Sequence, residues 1–302
     1  MNLNRLMIKC YRQRYLLLMT LPGFAVVLIF KYIPIYGILI AFKNYDVATG
    51  IMNSPWVGFK HFYSFFHNPL SLRLIKNTFL LGIYSLFWGF PAPLILALLL
   101  NEVKNKLFKR GVQTIVYFPH FLSVVIIVGF IKEFTALDGL FNQIAGWFGA
   151  EAVPMLSKSE YFRTLFIGSG IWQGVGWGTI IYLAALSGVD VVLHEAATID
   201  GANRWQRLRH ITWPAIIPAT TILLILSLGS IVGTDFQKII LLYNPVIYET
   251  ADVIDTYVYR QGILGAQYEY STAVGLMLSV IAFIFVASGN WFSRKVSDTS
   301  LW

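Results

Sequence analysis

The sequence predicts an all-α membrane protein with six transmembrane helices, and three observations lead to this fold class. Of the 302 residues, 57% are hydrophobic and 13% are charged, whereas a soluble domain is about 45–50% apolar and about 25% charged. Six stretches are apolar over the ~20 residues that a helix needs to cross the hydrocarbon core. Lys and Arg concentrate in alternate connections between those stretches. These observations exclude a soluble globular enzyme, a disordered chain and a coiled coil.

The six predicted spans are rich in Leu, Ile, Val, Phe and Gly. They are Tyr15 to Ile40, Thr78 to Leu100, Thr114 to Ile131, Phe162 to Leu186, Ala215 to Thr234, and Thr272 to Phe292. Internal Pro and Gly are compatible with a membrane bundle, because neighbouring helices satisfy the backbone groups that such residues free. Glycines four residues apart in the fourth and fifth spans predict close helix packing rather than substrate contact. These are Gly170, Gly174, Gly178, Gly229 and Gly233.

The first span follows a basic prefix, as a signal peptide does. However, it runs well past the 7–15 apolar residues of a signal peptide, and no A-x-A cleavage site follows it,. We therefore expect an uncleaved span. Lys31 lies inside it, and a Lys at the bilayer centre costs roughly 2.5–3.5 kcal/mol. We expect Lys31 to lie near the outer interface with its ammonium reaching the headgroups, and the helix to end or bend at Pro34.

The distribution of charge predicts the orientation of the chain. With the N-terminus inside, the inner segments carry thirteen Lys and Arg and the outer segments carry eight, while the acids divide five inside and ten outside. An excess of cations in short cytoplasmic loops sets membrane topology. Both termini are therefore predicted to be cytoplasmic. The net charge of +8 is explained by topology, and no basic surface for nucleic acid is expected.

Motifs for catalysis and metal binding are absent from the sequence. It contains no G-x-x-x-x-G-K-[ST] phosphate loop, no H-E-x-x-H and no G-x-S-x-G,. The single cysteine, Cys10, excludes a disulfide scaffold and any cysteine-based metal site. No paired carboxylates lie within a predicted span, as an ion-driven carrier would often require. The chain is therefore predicted to be a polytopic membrane protein that is not an enzyme and has no energy source of its own.

The connection between the fourth and fifth spans carries the strongest local signals. Asp190 is a plausible N-cap, Gly201 fits the left-handed position that ends a helix, and Pro214 suits the first turn of the next span. These residues predict two short helices around a hinge on the inner side of the membrane. Ala196 and Ala197 leave a slim face that a partner surface can approach closely. The alternative is an amphipathic loop that lies on the inner leaflet.

This connection resembles the EAA loop of ATP-binding cassette (ABC) importer permeases. The resemblance rests on the spacing of the motif residues along the loop, which are Glu195-Ala196-Ala197, then Gly201, then Ile211 and Pro214. Trp213 stands where the family usually has Leu. Nearly the whole chain further resembles the carbohydrate branch of that family, the maltose-type and LplB-like polysaccharide permeases. This second resemblance is carried by Leu21-Pro22-Gly23, Phe30 to Pro34 with Tyr36-Gly37, Ala41 to Tyr45, Tyr117 to His120, and Trp172 to Leu186.

The resemblance implies a type I ABC importer permease fold in the cell (cytoplasmic) membrane. Residues 1–302 would form one permease domain with a core at about 72–292, and residues 187–213 would form the coupling loop. The implied partners are a second homologous permease in a heterodimer, two ATP-binding cassette subunits, an extracellular solute-binding protein, a saccharide substrate and the lipid bilayer, with no nucleic acid. No cofactor is expected on this chain, because ATP and Mg would be bound by the partner ATPase.

Two sets of functional residues follow. The resemblance implies that the ATPase docks on Glu195, Ala196, Ala197, Gly201 and Arg204. A substrate path is predicted from the chemistry of sugar sites, which combine flat aromatic faces with hydroxyl and amide groups. Its candidates are Trp172, Gln173, Trp177, Tyr182, Asp235, Gln237 and Tyr243. The alternative for each aromatic residue in this set is a core or interfacial position.

The predicted function is the pore-forming subunit of an ABC importer for oligo- or polysaccharide that an extracellular binding protein delivers. One alternative keeps the importer and changes the cargo to an amino acid, a peptide or an inorganic ion, because the EAA loop does not discriminate among cargoes. Another is an ion-driven secondary carrier. That class is expected to show an inverted repeat and intramembrane carboxylates, and neither is found in the sequence.

Overall fold

The computed structural model describes residues 12–296 and 300–301, and in this part of the chain it is helical with no β-strand. An isolated β-bridge joins Lys43 and Trp56. Short helical turns occupy 50–53, 155–157, 245–247 and 248–251. The main helices are α1 Arg14–Phe42, α2 Lys60–Phe66, α3 Ser71–Glu102, α4 Lys106–Phe121, α5 Val124–Phe134, α6 Leu140–Trp147, α7 Ser159–Ser187, α8 Val191–Ile199, α9 Arg204–Gly229, α10 Phe236–Leu242, α11 Ile254–Tyr259 and α12 Tyr268–Val296.

Four of these helices, α1, α3, α9 and α12, are each long and apolar enough to cross a membrane. Two bent pairs, α4 with α5 and α7 with α8, raise the number of candidate spans to six if each pair counts as one. The chain is therefore an integral membrane protein. The first, second, fourth and sixth predicted spans lie within these helices. The fifth was expected to reach Thr234, but its helix ends at Gly229.

The third predicted span, Thr114 to Ile131, is wrong as one straight helix. The structure divides it into α4 and α5, which meet at 102°. Pro119 lies in the last, tight turn of α4, where a proline cannot donate the backbone hydrogen bond that would continue the helix. Ser123 then starts a new helix, because its Oγ accepts from the Ile126 N–H at 3.4 Å. A break of this kind is stable at membrane depth where protein or a cavity surrounds it.

Helix α1 does not end at Pro34, contrary to one of the two expectations. Its hydrogen bonding changes from α-type to wider turns at Leu28–Tyr32 and to tighter turns at Ile33–Phe42. Pro34 stands in the first turn of the tighter segment, where its missing N–H is tolerated. No residue of Arg14–Tyr32 is buried, so the first half of α1 has its apolar surface free to contact lipid or another chain.

Helix α7 is the central element, and glycines bring its neighbours close. A Cβ at Gly176 would collide with the Val116 carbonyl of α4, and one at Gly178 would stand 2.8 Å from Pro93 of α3. Gly229 approaches Val286 in the same way, at 2.9 Å from its Cγ2. The predicted packing role is confirmed for Gly178 and Gly229. It is wrong for Gly174 and Gly233, where a Cβ would meet no heavy atom within 4 Å.

A buried polar network joins the connection before α11 to α3 and α7. Asp252 is fully buried and makes a bidentate pair with Arg260, with Nη–Oδ distances of 2.8 and 2.7 Å. Asn77 donates to the Asp252 carbonyl at 3.0 Å and accepts from Arg163 Nη2 at 3.0 Å. These hydrogen bonds tie three distant parts of the sequence together, while the Nε of Arg163 is buried without a hydrogen-bond partner.

Replacement of Asp252 by alanine is expected to destabilise the protein markedly. The change leaves the guanidinium of Arg260 half-buried without its carboxylate, and removing one partner of a buried ion pair generally costs about 3–5 kcal/mol. The measurement is the thermal unfolding midpoint of the purified complex, and Glu151→Ala, which removes an exposed carboxylate, is the control. Equal midpoints for the two variants would contradict this prediction.

Candidate functional site

The connection between α7 and α9, residues 187–213, forms a protruding elbow. Helix α8 leaves α7 at an angle of 70°. Asp190 caps its start, because its Oδ1 accepts from the Val192 N–H at 2.9 Å; the predicted N-cap is confirmed. No residue of α8 is buried, and four apolar side chains are more than half exposed. They are Val191, Val192, Leu193 and Ile199.

The turn of the elbow depends on Gly201, which has a φ of +79°. The Gly201 N–H donates to the Thr198 carbonyl at 3.2 Å, and the Ala202 N–H donates to the Ala197 carbonyl at 2.8 Å. This pair of bonds is the Schellman motif, which ends a helix with one residue in the left-handed conformation. The predicted left-handed role of Gly201 is therefore confirmed. Leu, Val and other side chains oppose this conformation.

The second arm of the elbow starts with a reciprocal cap. Asn203 Oδ1 accepts from the Gln206 N–H at 2.9 Å, and Gln206 Oε1 accepts from the Asn203 N–H at 2.7 Å. Arg207 Nη1 then donates to Thr198 Oγ1 at 2.8 Å, which ties the second arm back to α8. The cap formed by Asn203 and Gln206 was not predicted, although Asn-x-x-Gln before a helix is a capping-box pattern. The elbow is thus held in one shape by contacts of its own.

The predicted docking residues all belong to this elbow. Glu195, Ala196 and Arg204 are exposed and Ala197 is half-buried. Ala197 and Gly201 line a groove of about 360 Å³ between the two arms, together with Gln206 and Arg207. The structure therefore brings the five predicted residues together on one element. The elbow combines this groove, lined by both signs of charge, with exposed apolar side chains elsewhere on α8, and these are features of a protein-docking surface.

A central cavity of about 340 Å³ lies between α3, α7 and the connection from α9 to α10. Gly170 and Gly174 of α7 contribute to one wall, beside the side chains of Ile171 and Val175. Hydroxyl and charged groups contribute from the other sides, and they are Ser85, Ser230, Thr234, Asp235 and Lys238. A pocket of this volume, mainly apolar with a few converging polar groups, has the size and character of a small-molecule site.

The structure does not gather the seven predicted substrate-path residues. Asp235 lines the central cavity. Trp172 instead lines an apolar groove of about 410 Å³ against α5 and α6. Gln173 donates to the Leu122 carbonyl at 3.4 Å, and Trp177 stacks on His120 with ring centroids 4.4 Å apart. These two residues support the break between α4 and α5.

The remaining three candidates lie elsewhere. Tyr182 is 2% exposed in a cluster with Leu94 and Ile216, as the core alternative expected. Gln237 is exposed. Tyr243 packs against Tyr248 at 5.0 Å, close to Arg260. Of the seven, Asp235 is therefore the candidate that the central cavity includes.

Lys238 is a cavity residue that the sequence analysis counted as an outer-loop charge. It is 1% exposed, and its Nζ donates to the Phe166 carbonyl at 3.2 Å. Helix α10 is seven residues long, too short to span. Burial lowers the pKa of the Lys238 ammonium to about 8, and the charge of Asp235 opposes that shift. The signal that was available is a lysine between apolar residues in Phe-Gln-Lys-Ile-Ile-Leu-Leu.

Across residues 12–296 and 300–301, no cluster of three or more His, Cys, Asp or Glu side chains could hold a metal ion. The two features that stand out are therefore the elbow and the central cavity. Helix α7 contributes to the cavity at one end and leads directly into the elbow at the other.

The sequence of the chain matches a known protein family. A family profile described as "Binding-protein-dependent transport system inner membrane component" matches residues 89–298. The chain is 44% identical over 300 residues to the polygalacturonan/rhamnogalacturonan transport system permease protein YteP of Bacillus subtilis, covering 99% of this chain and 94% of that one. It is 44% identical over 291 residues to protein LplB of the same organism, covering 96% of this chain and 92% of that one.

Solved structures agree with the sequence relatives. A crystal structure of a bacterial ABC transporter involved in the import of the acidic polysaccharide alginate contains a chain that is 43% identical, with a TM-score of 0.89 over 97% of this chain and 99% of that one. A second structure shows the bacterial alginate transporter in complex with an alginate pentasaccharide-bound periplasmic protein, with 42% identity and a TM-score of 0.90 over 98% and 100% of the two chains.

Proposed function

Because the chain belongs to the binding-protein-dependent transport system inner membrane component family, and is a non-enzymatic permease subunit of a saccharide ABC importer, we propose that its cargo is an acidic oligo- or polysaccharide. The polygalacturonan/rhamnogalacturonan permease and the alginate importer support this cargo. The features that carry the proposed mechanism are α7 and α9, which join the cavity region to the elbow.

We propose six membrane spans in the cell membrane, with both termini in the cytoplasm. Each bent pair then contributes one span, with α7 crossing the membrane and α8 lying outside it, and the excess of Lys and Arg falls on the inner side. The elbow lies on that side. The N-terminal part of this proposal concerns residues that precede the described range, so its support is the charge pattern of the sequence.

The proposed partners are two ATPase subunits, a second homologous permease and an extracellular solute-binding protein. The exposed apolar side chains of α8 and the groove of the elbow support docking of an ATPase there. The periplasmic protein in the alginate transporter complex supports the binding protein. The unburied first half of α1 supports contact with lipid or with the second permease. ATP and Mg would bind to the ATPase partner.

The mechanism follows from the connection of the two sites. When ATP closes the ATPase pair, the elbow docked on it moves as a unit, because the Arg207–Thr198 bond and the caps hold its arms together. That movement reaches α7 across the 70° junction and reaches α9 directly. Since α7 borders the cavity and α9 leads into the connection that lines it, the opening of the cavity alternates between the two sides of the membrane.

Uptake measurements distinguish this function from an ion-driven carrier. In proteoliposomes that contain the complete complex, uptake of trigalacturonate delivered by its binding protein is expected to require ATP on the elbow side. It is expected to continue after a protonophore collapses the proton gradient. Uptake that persists without ATP and stops with the protonophore would contradict the proposal. Uptake of an amino acid or inorganic ion, with none of the saccharide, would contradict the proposed cargo.

A further inference from the structure

Lys238 places a buried cation at the wall of the central cavity. The position that a Cβ on Gly170 would occupy is 3.7 Å from Lys238 Nζ, and both residues line the cavity. Gly170 therefore places no side chain against the ammonium, and Lys238 borders the cavity while being only 1% exposed. Its other contacts are the Phe166 carbonyl at 3.2 Å and the Phe166 ring, whose centroid is 5.2 Å away.

Within the described chain, no carboxylate lies within 4.0 Å of this ammonium, and Asp235 acts on it only at longer range. The ion pair found there at 4.0 Å or less joins Arg260 to Asp252 and does not involve Lys238. Asp235, the nearest acid along the helix, uses its Oδ1 to accept the backbone N–H of Lys238 at 3.2 Å. A lysine ammonium has three N–H donors, and the one hydrogen bond to Phe166 leaves two of them for a ligand.

Lys43 shows how a buried lysine is satisfied elsewhere in this chain. Its Nζ donates to two carbonyls, those of Ile51 and Met52, at 2.7 and 2.9 Å. It also lies over the Trp56 ring at 4.9 Å. Lys43 is 3% exposed, and it is not one of the residues that line the central cavity. The two lysines are similarly buried, but Lys238 has fewer partners and lines the central cavity.

We propose that Lys238 binds a carboxylate of an acidic saccharide in the central cavity, an inference that rests on the proposed function. A carboxylate offers a charge-assisted hydrogen bond to the ammonium and recovers part of the free energy that burial of the charge costs. Ser85, Ser230 and Thr234 supply hydroxyls on the same cavity, which suit the hydroxyls of a sugar ring. Gly170 and Gly174 let the ring approach the backbone of α7.

The experiment measures binding in the purified complex within lipid nanodiscs, without the solute-binding protein, so that the partner's selectivity does not enter. The probes are trigalacturonate and its methyl ester, which share a backbone and differ in charge. The wild-type complex is expected to bind the acid about tenfold more tightly than the ester, or ~1.4 kcal/mol. Lys238→Met is expected to abolish this preference. Lys43→Met, the similarly buried control, is expected to keep it.

Each outcome decides the inference. A wild-type complex without preference for the acid, including one that binds neither probe, contradicts it. A preference that survives Lys238→Met also contradicts it, as does an equal loss in Lys43→Met. In a parallel uptake assay, Lys238→Met should lose trigalacturonate import while the loaded binding protein still stimulates ATP hydrolysis. If the wild-type complex shows no ATP-dependent saccharide uptake at all, the proposed function fails, whatever the binding result.

Discussion

Replacement of Gly201 by leucine is expected to leave the permease in the membrane but to uncouple it from ATP hydrolysis. Gly201 has a φ of +79°, and a Cβ there would meet no heavy atom within 4 Å. The cost is therefore conformational rather than a collision, and a side chain in the left-handed region costs roughly 1–2 kcal/mol. The local response is to lose the Schellman bonds and move the second arm, which also carries Arg207 away from Thr198.

The measurement is ATP hydrolysis stimulated by the loaded binding protein, in the reconstituted complex, together with saccharide uptake. Both rates are expected to fall by at least about tenfold, which corresponds to an increase of ~1.4 kcal/mol in the activation free energy. Gly149→Leu is the control, because Gly149 has a φ of +80° with equally free space around it but lies outside the elbow. Gly201→Asn is expected to be milder, since Asn tolerates the left-handed conformation. Wild-type stimulation in Gly201→Leu would count against the coupling role of the elbow.

Replacement of Gly174 by leucine is expected to block saccharide passage without loss of assembly. A Cβ at Gly174 meets no heavy atom within 4 Å, and the residue lines the central cavity. The leucine side chain therefore extends into the space that a sugar would occupy. Uptake should fall by about tenfold or more, equivalent to ~1.4 kcal/mol, while the complex keeps its ATPase subunits and its yield.

Two other glycines separate a blocked cavity from a damaged fold. Gly168→Leu adds the same side chain to the same helix, with equal free space, but into the apolar groove that Trp172 lines; uptake should remain. Gly82 also lines the central cavity, yet a Cβ there would collide with the Ile231 carbonyl, so Gly82→Leu should reduce the amount of assembled complex. Normal uptake by Gly174→Leu would show that cargo does not pass this wall.

Local features of the fold were predictable because their causes lie within a few residues. Asp190 and Gly201 were identified correctly from side-chain chemistry and backbone preference alone. The break between α4 and α5 was not predicted, since the stretch from Thr114 to Ile131 is mainly apolar and many membrane helices tolerate proline. Only the chain's surroundings decide whether Pro119 bends a helix slightly or ends it.

The cavity was the least predictable part. The type of a residue on a helix indicates which ligands its side chain could bind, but not which other side chains the fold places next to it. Trp172 and Asp235 were grouped together by residue type, but α7 turns Trp172 toward α5 and α6. Lys238 was missed because its charge was assigned to an outer connection. The bond between Thr198 and Arg207 joins two helices across a turn, and no local pattern predicts such a contact.

The glycine contacts of α7 determine where the transporter can flex. The backbone of α7 contacts α4 at Gly176 and α3 at Gly178, with no room for a methyl group at either position. Sliding or rolling of α7 against these two helices would therefore force atoms together. Helices α3, α4 and α7 should therefore move as one rigid body. Freedom remains at the central cavity, which Gly174 and Gly233 line and where a Cβ on either residue would meet no heavy atom within 4 Å, so a gate there has room to open.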